Sequence, residues 1–152
     1  MNRKVILWSV ILYLAMIVPV TVLHELGHVY VCSEHGYQSS IWIDATGGHS
    51  QCFGRLEQIP AFNAMGGLFG LAGSGAIIAV GLAARKHVAI LVVGLAYSVD
   101  QTAKIVLEGF FTSTYLSGSL DFAITALQVA SWFGFMFYFA RRSSVTISQK
   151  EP

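Results

Sequence analysis

Three residues in the first quarter of the chain have the types and spacing for hydrolytic chemistry: His24, Glu25 and His28, in the run His24-Glu25-Leu26-Gly27-His28. Residues four apart on a helix share a face, so both imidazoles can reach one metal ion while the Glu25 carboxylate points to its open side. Two neutral imidazoles leave a Zn2+ ion net positive and coordinatively open, which lowers the pKa of bound water to about 7 and lets a neighbouring carboxylate take its proton. Glu25 is then the general base, and it can hand the proton on to a leaving amine. A short pattern with few fixed positions also arises by chance. Here it follows Val18-Pro19-Val20-Thr21-Val22-Leu23 within an apolar helix, where ionisable groups are costly unless a ligand or one another neutralises them. That location favours metal binding.

The elements that must hold this motif are membrane spans. Of the 152 residues 55% are hydrophobic and 11% charged, far from the mix of a soluble domain. Crossing a hydrocarbon core takes about 20 helical residues. Stretches from about Val5 to Cys32, Ala61 to Ala84, Val88 to about Phe111 and Leu120 to Ala140 all qualify. The predicted fold is therefore an all-α membrane protein, a single domain over residues 1–152 with about four transmembrane helices. A short β-hairpin-like segment is expected between helices one and two, in the outer loop 33–60, from its Ser, Gly and Gln content and the alternating Ile41-Trp42-Ile43. A strand there could offer its edge to an extended peptide. Arg3 and Lys4 ahead of an apolar run suggest a signal peptide, but the run continues through Pro19 into the charged motif without a small-residue cleavage site, which predicts a retained span.

Charge sets orientation and excludes partners. The formal net charge is +1, and no Lys/Arg cluster is interleaved with aromatics, so nucleic acid is not an expected partner. Arg3 and Lys4, Arg85 and Lys86, and Arg141, Arg142 and Lys150 all fall on one side of a four-span chain, while the opposite loops carry Arg55. The positive-inside rule makes that side cytoplasmic, with both termini there and the motif nearer the outer face. Cys32 and Cys52 are too few for a disulfide framework and lack zinc-knuckle spacing; they form either a bridge on an oxidising side or a pair of inert thiols.

HELGH at the end of an apolar helix, then a hairpin-like segment, then a glycine-rich span opening Asn63-Ala64-Met65-Gly66-Gly67, resembles the site-two protease family of intramembrane zinc metalloproteases, in particular its compact branch. The similarity covers nearly the whole chain, although only HELGH is highly specific. The resemblance implies a zinc-dependent endopeptidase acting on a membrane-tethered protein or peptide, with an aspartate from a later helix, typically within Leu-Asp-Gly, as third ligand. That tripeptide is absent here. Many relatives also place the motif nearer the cytoplasmic face, opposite to the orientation the basic residues give.

Asp100 is the first choice for third ligand: it lies deep in span three, which re-enters from the cytoplasmic side as the family's ligand-bearing helix does. An ion pair with Lys104 is its plainer explanation. Asp121, in Leu120-Asp121-Phe122, is the alternative, although the helix dipole alone would favour a carboxylate there. At about 1.5 Å per residue His24 stands about 28 Å up span one and Asp100 about 19 Å up span three, which speaks for Asp121. Glu108 comes third.

Asn63 could hydrogen-bond a substrate backbone or the oxyanion, or simply cap helix two. Gly66, Gly67, Gly70, Gly73 and Gly75 with Ala72 form small-residue surfaces that let helices approach closely. His35 and His49 are expected to be surface histidines, since a closed four-ligand site would extinguish catalysis, and Trp8, Trp42 and Trp132 core or interfacial anchors. The competing function is a non-catalytic zinc-binding membrane scaffold or assembly factor, against which the intact Glu25 argues.

Overall fold

In lipid a helix satisfies its own backbone, so apolar runs of this length should fold as spans. The computed structural model describes residues 1–44, 47–56, 59–84, 87–118 and 120–148, with the backbone alone at 116, 121 and 144–148. Four helices are long and apolar enough to cross a membrane: α1 (Arg3–Glu34), α2 (Pro60–Ala83), α3 (Val88–Phe110) and the Phe122–Ser143 part of α5 (Asp121–Ser148). A short helix, α4 (Thr112–Leu116), connects the last two. Between α1 and α2 stands an antiparallel hairpin of β1 (Ser39–Asp44) and β2 (Gly47–Cys52), pairing Trp42 with His49 and Ile43 with Gly48. The expected all-α architecture with its hairpin is present.

The bundle is tied at one end and at its middle. The Asn2 side chain accepts the Lys4 N–H at 3.1 Å, capping α1, while the Asn2 N–H donates to the Ala140 carbonyl at 3.0 Å. The start of α1 and the late part of α5 thus share one end, which gathers Arg3, Lys4, Arg141 and Arg142. Arg85, Lys86 and Lys150, assigned by sequence to the same side, lie outside the described residues. At mid-bundle Tyr13 stacks between Tyr97 and Trp132 at 5.1 and 4.6 Å. The Tyr97 hydroxyl donates to the Tyr13 carbonyl and the Trp132 indole N–H to Ser9 Oγ, each at 2.9 Å, so polar ends of aromatic side chains lock α1, α3 and α5 together. Trp8, by contrast, is exposed on α1 among other large apolar side chains such as Leu7 and Leu14, as a lipid-facing surface requires.

Glycine sets the approach of α2 to its neighbours. A Cβ on Gly81 would stand 2.7 Å from Leu91 N, and one on Gly94 would stand 2.9 Å from Ile78 N. Backbones meet at distances only a missing side chain permits, the close packing the small-residue surfaces implied.

Cys32 and Cys52 form a disulfide, which settles the choice between bridge and inert thiols. It fastens the end of β2 to α1 one turn beyond His28, beside a cluster of Val31, Leu56 and Phe62. From there the hairpin runs back along α1 rather than standing off it as an outer loop: a Cβ on Gly48 would press on Thr21 Cγ2 and lie 2.9 Å from Glu25 Cγ. The hairpin thereby becomes part of the wall around the HELGH turn.

Candidate metal centre

His24 and His28 lie one turn apart on α1 and face α2 and α3. Gly27 allows the crossing, since a Cβ there would sit 2.9 Å from the Gly66 Cα. The two Nε2 atoms are 3.4 Å apart. Glu108, near the end of α3, brings Oε1 to 3.3 Å from His24 Nε2 and Oε2 to 3.6 Å from His28 Nε2. One ligand atom from each of the three residues lies within 4.8 Å of the others.

The far ring nitrogens decide what these near ones present. His28 Nδ1 is 2.9 Å from the Phe62 carbonyl oxygen, and His24 Nδ1 is 2.9 Å from Gln101 Oε1. Both oxygens only accept, so both Nδ1 atoms donate, and a neutral ring at either position would turn an Nε2 lone pair inward. There the lone pairs meet a carboxylate whose two oxygens are buried without a hydrogen bond among the described residues. Electron-rich groups this close, out of water, repel unless a cation sits among them. Protons on both rings would pair each with one Glu108 oxygen, whereas a metal ion joins all three groups through neutral rings. Gly66 keeps the necessary space, since a Cβ there would be 2.7 Å from His24 Nε2 and 2.8 Å from His28 Cε1. His24, His28 and Glu108 thus form a buried group that could hold a metal ion.

Glu25 is buried and lines the same cavity, under the Gly48 backbone, where a Cβ would lie 3.0 Å from its Oε1. This cavity, of about 650 Å³, is walled by α1, the hairpin, α3 and α5, with Trp42, Ser50, Lys104, Thr125 and Gln128 among its lining. Comparisons with protein-family models, with curated proteins and with solved structures found no match. Function must therefore be argued from the site's own chemistry.

The remaining candidates fall elsewhere. Asp100 is not in the histidine cluster: its Oδ2 accepts from Gln101 Nε2 at 2.8 Å and pairs with Lys104 Nζ at 3.4 Å, so the expected i, i+4 ion pair is real. Asp121 opens α5, and its side chain lies outside those described. Asn63 Nδ2 donates to Thr112 Oγ1 at 3.1 Å, joining α2 to the start of α4 at the cavity's edge. His35 Nδ1 bonds the Val31 carbonyl at the end of α1, and His49 pairs with Asp44 and stacks on Trp42, both away from the histidine cluster.

The same rise that disfavoured Asp100 points to Glu108. At about 1.5 Å per residue it stands about 30 Å up α3, level with His24 at about 28 Å. Depth was the available signal, and likeness to an aspartate motif concealed it. No sequence pattern pointed to Gln101.

Proposed function

We propose that this chain is a zinc-dependent intramembrane endopeptidase that hydrolyses a peptide bond in a membrane-tethered protein or peptide. The reading rests on one arrangement: the Nε2 atoms of His24 and His28 and the buried Glu108 carboxylate, which has no hydrogen bond among the described residues, converge beside a cavity that Glu25 also lines. Zinc suits two histidines and one carboxylate, a set that leaves a position for water or substrate, and when bound it would supply Lewis acidity and an acidic water.

The chain's own residues then divide the work. His24, His28 and Glu108 hold the ion, with Glu108 in the place that the site-two protease family gives to aspartate. Glu25 takes a proton from water on the cavity side and passes it to the leaving amine. The helix bundle and hairpin bury His24, Glu25 and Glu108, which strengthens charge interactions among them. A substrate helix must unwind before its backbone is accessible, and β2, whose Gly48, His49 and Ser50 line the cavity, is placed to pair with such an extended segment. Trp42, within the expected Ile41–Ile43 docking edge, lines the same cavity.

The termini belong in the cytoplasm under this reading. Support comes from the basic residues gathered with Asn2 and Ala140, and from a disulfide at the opposite end of α1, since disulfides persist on oxidising sides.

Cleavage of a tethered model peptide by the purified protein in lipid vesicles tests the reading. Turnover should stop with a zinc chelator and return with added zinc. A protein that carries zinc yet cuts none of a panel of tethered peptides is the scaffold instead, and the protease assignment fails.

A further inference from the structure

Asp100, Gln101 and Lys104 lie outside the ligand cluster, yet they are joined to it. Lys104 Nζ stands 3.4 Å from Asp100 Oδ2, that oxygen accepts from Gln101 Nε2 at 2.8 Å, and Gln101 Oε1 stands 2.9 Å from His24 Nδ1. Asp100 and Gln101 are 2% and 1% exposed, the most enclosed polar side chains near the site. Gly70 of α2 makes the room, for a Cβ there would be 2.9 Å from Gln101 Cγ and would overlap the amide itself.

The amide's orientation is dictated. Asp100 Oδ2, in ion-pair contact with Lys104, accepts from Gln101 Nε2, so Gln101 turns its NH2 to Asp100 and its oxygen to His24. His24 Nδ1 must then carry the proton, which commits Nε2 to the cluster. We propose that Gln101 is a positioning residue for the metal, relaying the negative charge of Asp100 to His24, and that Lys104 keeps that charge affordable inside the membrane. The inference rests on His24, His28 and Glu108 being metal ligands.

Charge counting supports the division of labour. Asp100 and Lys104 form an ion pair of their own, so their charges balance apart from those of the metal site. A single uncompensated carboxylate within a membrane span is costly. Asp100 therefore reaches the ion only through an uncharged intermediary, and a direct ligand role would leave Lys104 unpaired. Partners of this kind fix a ligand's tautomer and raise its basicity, and their loss typically costs about 10- to 100-fold in metal affinity.

The test compares zinc affinity, by competition with a chromophoric chelator, in the wild type, in Gln101→Met, and in the charge-neutral double variant Asp100→Asn with Lys104→Met. Gln101→Met, close in shape but without the amide, should bind zinc about 10- to 100-fold more weakly. Its cobalt-loaded form should show shifted visible bands, a change that loosened packing alone would not produce. The double variant keeps an acceptor for Gln101 and should lose only part of the affinity. Wild-type affinity and an unchanged cobalt spectrum in Gln101→Met would overturn the relay alone, whereas a wild type that binds no zinc would overturn the ligand assignment with it. Should Gln101→Met fail to fold, 15N shifts of His24 in the zinc-loaded wild type decide: a protonated Nδ1 with metal on Nε2 supports the relay, and the reverse refutes it.

Discussion

Glu25→Gln should lower turnover by about 10²- to 10⁴-fold, the usual contribution of a positioned general base, while the protein keeps its zinc. The substitution changes one oxygen to an NH2 and leaves the shape of the buried side chain, which sits beneath Gly48 with little room to relocate. Among the described residues Glu25 belongs to no hydrogen bond or ion pair that holds helices together, so folding should be unaffected. The group that could hold the metal is His24, His28 and Glu108, so metal content should be unaffected too. Measuring bound zinc and peptide cleavage on the same preparation separates base from ligand. Cleavage at the wild-type rate would remove Glu25 from the mechanism, and lost zinc would make it a ligand.

Gly66→Ala should abolish metal binding, a large effect from a single methyl group. The new Cβ would lie 2.7 Å from His24 Nε2 and 2.8 Å from His28 Cε1, in the space toward which both lone pairs point. The rings cannot easily yield, because each is anchored through Nδ1, His24 to Gln101 and His28 to the Phe62 carbonyl. Nor can the backbone, since α1 and α2 are already in contact where Gly27 meets Met65 and Gly66. Overpacking a tight contact costs about 1–3 kcal/mol, which a bundle of four spans should survive. Equilibrium dialysis against zinc should show binding lost while circular dichroism shows the helices retained. Gly75, with open space around its Cβ position, is the control: Gly75→Ala should bind as the wild type does.

The spans were legible because lipid imposes a length and a composition, and α1 to α3 end within two or so residues of the limits that hydropathy gave. The hairpin was legible as a local pattern at Ile41 to Ile43, but its position was not. Nothing local says that Gly48 will lie against Thr21 and Glu25; the Cys32–Cys52 bridge and the glycine itself bring that about. The histidines and Glu25 announced themselves because their spacing is helical and their surroundings apolar. A third ligand comes from another helix, where spacing is silent and only depth informs, so Glu108 ranked below two aspartates until α3 was placed. Asp100 drew notice for a sound reason, its burial cost, which is met by Lys104 and Gln101 rather than by a ligand position.

Metal content, measured on protein purified from zinc-replete membranes in mild detergent, tests the central claim most directly. One zinc per chain is expected in the wild type, with the zinc lost from Glu108→Gln and from His24→Ala. A folded wild type devoid of metal, or a Glu108→Gln variant that retains its zinc, would contradict it.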